Sequence, residues 1–272
     1  MPAISWPKDG RYYQIAALGL LLGLNMTLID LGAKPLPSLF AVAGALGTQA
    51  VCSRLWRLPT IDLRSPLITG LSLSLLLRAD EPWLHAAAGC IAIASKFVLR
   101  IDGKHVWNPA GFALVALIFG TDDVWISPGQ WGASLWFAAL LGFLALLVLQ
   151  RARRADIALF FLASYAALLF ARAFWLGDPL AIPLHQLESG SLLLFAFFMI
   201  SDPKTTPEAR FPRFLFAFAV ALLAHYLAFF MQMRPALYVA LIALSPVNPI
   251  LDRVFPSQRF QWSATPRQGA SP

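Results

Sequence analysis

Apolar residues run in long blocks along almost the whole chain, separated by short stretches rich in proline, glycine or charge. Six blocks approach the roughly 20 residues that a membrane-spanning helix needs: 12–31, 35–53, 82–99, 130–150, 155–175 and 211–230. Four shorter blocks lie at 65–77, 109–120, 189–200 and 235–246. At about a dozen residues, each has the length of a half-span or a buried segment. Ten segments consume most of the 272 residues and leave no room for a soluble domain. The pattern predicts an all-α polytopic membrane protein with about ten transmembrane segments.

The order of the blocks carries further information. They read long, long, short, long, short, and then the same five again. The fifth block of each half opens with related text, Asn108-Pro109-Ala110 and Arg234-Pro235-Ala236. The third blocks open at Ser65-Pro66 and Ser189-Gly190, at nearly equal distances from those Pro-Ala pairs. Five crossings per repeat make two such halves inverted with respect to each other. The expected division is a first five-helix repeat over 1–125, a second over 126–255, and a polar, disordered C-terminal tail over 256–272.

Composition agrees with a membrane location. Hydrophobic residues are 58% of the chain and charged residues 13%, where soluble domains average roughly 45–50% and about 25%. Mean hydropathy is +0.67. The net charge of +7 matters here through its placement. With the N-terminus inside and ten crossings, sixteen Lys and Arg fall in inner loops and tails. Only Lys34, Arg78 and Arg234 fall outside. That asymmetry predicts that both termini are cytoplasmic. The first block reads as a retained helix, and Trp6, Trp83, Trp107, Trp125, Trp131 and Trp175 sit near block ends as an interfacial belt requires.

Motifs for soluble catalysis are missing from the sequence: no P-loop, no GxGxxG, no HExxH and no G-x-S-x-G. Cys52 and Cys90 lie far apart in apolar runs and read as packed, inert thiols rather than metal ligands. Apart from Lys96, Arg172 and Arg213, basic residues lie in loops and tails, which argues against nucleic acid as a partner. Candidate chemistry lies instead at the starts of the short helices, whose free N–H groups and positive dipole ends favour an anion or polar ligand. These are Ser65/Pro66, Asn108/Pro109, Ser189/Gly190 and Arg234/Pro235; proline is also ordinary at a helix start. Within the long blocks, Lys96 either snorkels to the headgroups or faces a site. Arg172 lies near a block end, and Asp30 closes the first block at the interface. His225 lies mid-block, where a satisfied interhelical hydrogen bond is the expected role against a functional one.

Three stretches stand out together: Ser65-Pro66-Leu67-Ile68-Thr69-Gly70 with Pro82-Trp83, then Ser95-Lys96 with Trp107-Asn108-Pro109-Ala110, and Phe197-Phe198-Met199-Ile200-Ser201-Asp202-Pro203. Their order and spacing resemble the RnfD/NqrB family of membrane subunits from Rnf-type electron-transport complexes and Na⁺-translocating NADH:quinone oxidoreductase. The resemblance implies an inverted repeat of ten helices with a urea-transporter-like architecture. It also implies a role in electron transport coupled to ion movement, beside other Rnf-type membrane subunits or a flavin- or haem-bearing redox partner. It adds Thr69, Lys96, Ser201 and Asp202 to the candidate cofactor-binding or pore-lining residues. Members with covalent FMN carry a Ser-Gly-Ala-Thr-like motif in the loop after the fifth helix. Here that loop is 120–129, and Thr121 is its only threonine. The chain is therefore expected to bind FMN or riboflavin non-covalently or through a partner, as a short member similar also to RnfD-like proteins of enediyne gene clusters. The alternative from another class is a stand-alone channel or carrier for a small polar solute or ion.

Overall fold

A computed structural model describes residues 9–29, 32–127 and 135–260 of the chain. Asp30, Trp6, Trp131 and the tail beyond residue 260 lie outside the described residues. The first half runs α1 (Gly10–Leu24), which continues as a π-helical turn over Asn25–Ile29, then α2 (Pro35–Leu55), α3 (Arg64–Leu76), β1 (Leu77–Ala79) and α4 (Pro82–Val98). It closes with β2 (Arg100–Ile101), β3 (Lys104–His105), α5 (Pro109–Gly120) and β4 (Val124–Ile126). The second half runs α6 (Leu135–Ala152), α7 (Ala155–Leu176), α8 (Ala181–Leu187) and α9 (Gly190–Leu194), the last extended by a π turn over Phe195–Met199. α10 (Arg210–Phe229), α11 (Ala236–Leu244) and α12 (Asn248–Val254) complete it.

Helix starts follow local chemistry. Proline opens α2, α4 and α5, where its missing N–H costs nothing. Asn108 caps α5 by accepting from Gly111 N at 3.0 Å. Gly177 ends α7 in the left-handed conformation (φ 72°) that favours glycine. Among the described residues, four helical runs are long and apolar enough to cross a membrane: Pro35–Leu55, Ala155–Leu176, Arg210–Phe229 and Ala236–Val254. The pair Ala181–Leu187 and Gly190–Met199, bent by 48°, forms a fifth candidate. The protein is thus mostly helical and multi-pass.

Two details differ from the sequence expectation. The fifth apolar block of the second half does not stop near Pro246, because Pro246 falls in a 3₁₀ turn (Ser245–Val247) that leads directly into α12. A proline near the start of a helical segment is tolerated, so the block is read through. The chain is also not purely helical. β1 pairs antiparallel with β4, Arg78 opposite Trp125, and β2 pairs with β3, Arg100 opposite His105. The second ladder closes on Asp102 (φ 51°) and Gly103 (φ 80°), the Asp-Gly pairing suited to a two-residue hairpin turn. The tail begins in contact with the body. Lys204 Nζ donates to Phe260 O at 3.2 Å, and the Arg154 guanidinium lies 5.2 Å from the Phe260 ring centroid.

In the first half α2 packs along both α3 and α4. A Cβ on Gly44 would stand 2.4 Å from Ala86 O, and one on Gly89 would stand 2.4 Å from Ala41 O and 2.6 Å from Ala45 N. One on Gly70 would stand 2.8 Å from Val42 Cα. Glycine is therefore required at these crossings, as is common where helices associate without water to drive them together. Of the two cysteines, Cys52 is buried as expected, whereas Cys90 lies on the outer side of α4.

Candidate functional site

The starts of α3 and α5, the end of α4, the β2–β3 hairpin and the Ser201–Lys204 turn meet around a cavity of about 300 Å³. It lies at the end of the bundle that also holds Arg11 and Gln14 at the start of α1. Seven of the eleven residues singled out from sequence line it: Ser65, Thr69, Lys96, Asn108, Pro109, Ser201 and Asp202. Pro66 is buried one residue away from Ser65. Ser189, Pro235 and the exposed Arg234 are not part of it.

The reason lies in chain direction. α3 and α5 begin at the cavity, whereas the α9 run reaches it with its last residues, Phe197, Phe198 and Met199. The starts of α9 and α11 therefore stand toward the opposite end of the bundle. There the Ser191 hydroxyl and the Tyr238 hydroxyl lie 2.9 Å apart, tying α9 to α11. The first half thus offers helix starts to the cavity and the second half a helix end followed by a polar turn.

Lys96 turns inward. Its Nζ donates to Ser65 Oγ at 3.0 Å and to Gln49 Oε1 at 3.3 Å, so it does not snorkel. Asn108 joins the two halves: while Oδ1 caps α5, Nδ2 donates to Asp202 Oδ2 at 3.4 Å. Asp202 also accepts from Lys204 N at 3.0 Å through Oδ1. Ser201 Oγ donates to Phe197 O at 2.6 Å, so this hydroxyl closes the preceding turn.

Sequence reasoning treated several lining residues as orientation signals only. Arg11, Arg100, Lys104 and Lys204 join Lys96 in the wall, against the carboxylates Asp62 and Asp202. Arg11 pairs with Asp9 at 2.7 Å and also with Asp62, and Arg64 binds the same two carboxylates at 2.7 and 2.8 Å. Burial pushes the Asp62 carboxyl up, but the hydrogen bonds and charge of Arg64 and Arg11 outweigh it and hold the group down to about 2. Lys104 is bound to Glu208 at 2.8 Å and Asp252 at 3.3 Å, and Arg154 holds Glu208 from the other side at 2.7 Å. Lys96, Arg100 and Lys204 have no carboxylate within ion-pair distance among the described residues.

His105, at the end of the hairpin, is pushed down to about 4 by burial. Asp202 opposes that shift, while Lys96, Arg100 and Lys204 add to it. The imidazole is neutral at pH 7 beside a net positive wall. Only the interleaving of acids with the basic loop residues could have hinted at this ion-pair lattice, whose partners are far apart in sequence.

Two intramembrane candidates belong elsewhere. Arg172 pairs with Asp178 at 3.3 Å and lies over the Phe229 ring at 4.3 Å. His225 packs against Phe229 at 4.6 Å between ring centroids, and its Nδ1 has no hydrogen-bond partner. The expected interhelical hydrogen bond is not made through that nitrogen, because aromatic rings surround it.

A mostly helical chain with several apolar spans and a polar cavity built from loop and helix ends defines a multi-pass membrane protein. The model of the NQR2, RnfD, RnfE family matches residues 120–261, just over half of the 272-residue chain, and the chain belongs to this family. The match takes in the Ser201-Asp202-Pro203 stretch, while the Ser65 and Asn108 stretches precede it. A search of curated proteins returns no match.

Proposed function

We propose that the protein is an RnfD/NqrB-like membrane subunit of an electron-transport or ion-translocating assembly. In this reading ten segments form two inverted five-helix repeats, divided near residue 125. Both termini face the cytoplasm of a bacterial inner membrane, and the 300 Å³ cavity is the cofactor or ion site. The observation that carries the proposal is the Asn108–Asp202 contact, set in a wall to which both halves contribute. The opposite directions in which α3 and α9 approach that wall support the inversion.

A flavin bound there would supply one- or two-electron transfer. The donors fit one held non-covalently. Lys96, Arg100 and Lys204 can take a phosphate or the reduced-ring charge, and Phe197 and Phe198 give a flat apolar wall. Two threonines, Thr121 and Thr206, offer poor attachment points for a phosphoester. Thr121 Oγ1 is engaged with Asp123 at 3.1 Å, and Thr206 Oγ1 is buried between Asp202 O at 3.0 Å and Arg154 Nε at 3.3 Å. Other Rnf-type subunits, or a flavin- or haem-bearing protein, are the proposed partners.

A second reading, a channel or carrier for a small polar solute, rests on one observation. Another cavity opens at the far end of α3, and Ser72 lines the first cavity while Ser74 lines the second. The visible spectrum of the purified protein before and after acid precipitation separates the readings. Flavin absorbance released by acid is the expected result. A colourless protein that dissipates a solute gradient across liposomes would replace the redox reading with the channel.

A further inference from the structure

The segment that follows α12 has no part in the function proposed above. It runs from Pro256 to Phe260 without helix or strand, and its first four residues are exposed. Its far end is attached to both halves of the chain. Arg259 Nη1 donates to Asp102 O at the tip of the β2–β3 hairpin at 3.3 Å. Lys204 Nζ donates to Phe260 O at 3.2 Å, and the Arg154 guanidinium lies 5.2 Å from the Phe260 ring centroid. A segment with so little burial and no backbone ladder is among the first to open in a folded protein.

Beneath the segment lies a third cavity, of about 250 Å³, with Pro256, Ser257 and Arg259 in its wall. Lys104, His105 and Lys204 line both this cavity and the first one. The three are not equally free to move. Lys104 is locked by Glu208 at 2.8 Å and Asp252 at 3.3 Å, and His105 is fixed in the hairpin ladder opposite Arg100. Lys204 stands half-buried on a turn. The one hydrogen bond of its ammonium among the described residues is that to Phe260 O. That acceptor is a neutral carbonyl. An ionised phosphate makes a charge-assisted bond roughly twice as strong.

We propose that the 256–260 segment is an autoinhibitory strap. It holds Lys204 on its own side of the shared wall and gives it up when a phosphate-bearing ligand enters the first cavity. Ligand and strap compete for one ammonium. Ligand binding therefore releases the strap, and release of the strap tightens ligand binding by the same factor. The inference rests on the flavin reading of the first cavity, and it adds that the strap senses the ligand's phosphate rather than its ring.

A nitroxide on Ser257→Cys, in the full chain with Cys52→Ala and Cys90→Ala, reports the strap through its mobility in detergent micelles. Ser257 is exposed and tolerates the label. FMN is the ligand, riboflavin is the control without phosphate, and flavin fluorescence measures the binding of each. The expected result is a slow-motion spectrum without ligand and a saturable change to fast motion with FMN that riboflavin does not produce. Phe260→Ala should give the fast spectrum without ligand and bind FMN about threefold more tightly. Arg259→Gln alters an exposed side chain and should act in the same direction more weakly. FMN that binds without changing the label's mobility overturns the strap and leaves the flavin reading standing. An equal response to riboflavin does the same, as does FMN affinity unchanged in both variants. Failure of both flavins to bind to any of these proteins overturns the flavin reading and the strap with it.

Discussion

The two halves of the chain are packed by different means. In the first half, Gly44, Gly70 and Gly89 let α2, α3 and α4 approach until backbone meets backbone. In the second, aromatic rings fill the space between α7, α9, α10 and α11. Phe161 lies 5.7 Å from Tyr165 and 5.0 Å from Phe195, and Phe195 meets the Tyr238 ring edge-on at 5.5 Å. Lipid is as apolar as the helix surfaces, so association depends on close contact rather than on expulsion of water. Backbone proximity and ring interlocking are two ways to obtain it. The glycine solution brings α3 against α2 at Gly70, whereas in the second half ring contacts such as Phe161 with Phe195 do the joining.

Substitutions can break this contrast, and the largest effect belongs to the aromatic half. Phe161 is fully buried, and Phe161→Ala leaves a cavity between three helices that costs about 3–5 kcal/mol, read as loss of monodisperse protein on heating in detergent. Gly89→Ala in the first half puts a methyl group against two backbone atoms that cannot yield, and costs about 2 kcal/mol by overpacking. If it is tolerated without loss of thermal stability, the backbone-contact account of α2 and α4 is wrong.

The helix starts and helix ends at the first cavity give the next comparison. Asn108→Ala removes both the α5 cap and the bridge to Asp202 and is expected to weaken flavin retention about tenfold, from roughly 1–1.5 kcal/mol of lost hydrogen bonding. Arg234→Ala, at the start of α11 and outside the cavity, leaves retention unchanged. Equal losses in the two variants would show that the site is misplaced. A smaller effect of opposite sign is expected at Gly142 in α6, where a Cβ meets nothing within 4 Å. There Gly142→Ala stabilises by about 0.5–1 kcal/mol through chain entropy, which separates glycines needed for contact from those that are not.

The last comparison is in pH dependence. Asp62 is held below its ordinary value of 3.8, at about 2. Its contribution is therefore full above pH 4 and is lost as pH falls toward 2. His105 titrates near 4 instead of 6.5, so the unfolded chain binds the extra proton between those values and stability falls as pH drops from 6.5 toward 4. Thermal midpoints measured between pH 7 and 5 should decline on acidification, and His105→Gln should flatten that slope.

Much of the first cavity was legible in residue types and spacing. Ser65 and Asn108 stand next to prolines that open short helices, and Lys96 is a charge inside an apolar block, which in a membrane asks for a partner. Arg11, Asp62 and His105 were not legible as site residues. Their roles depend on contacts between loops distant in sequence, such as Lys104 with Glu208 across 104 positions. Arg234 matched Asn108 in local sequence but not in place, because the two helices they precede begin at opposite ends of the bundle.

The linear order of residues determined that this chain is an apolar, multi-pass helical protein. Hydropathy and helix-start chemistry act over one or two turns, and they suffice for that. Only the tertiary structure decided which helix ends meet and that Lys96 turns inward. Those outcomes follow from chain direction and from how closely backbones can approach, which no local pattern of residues records.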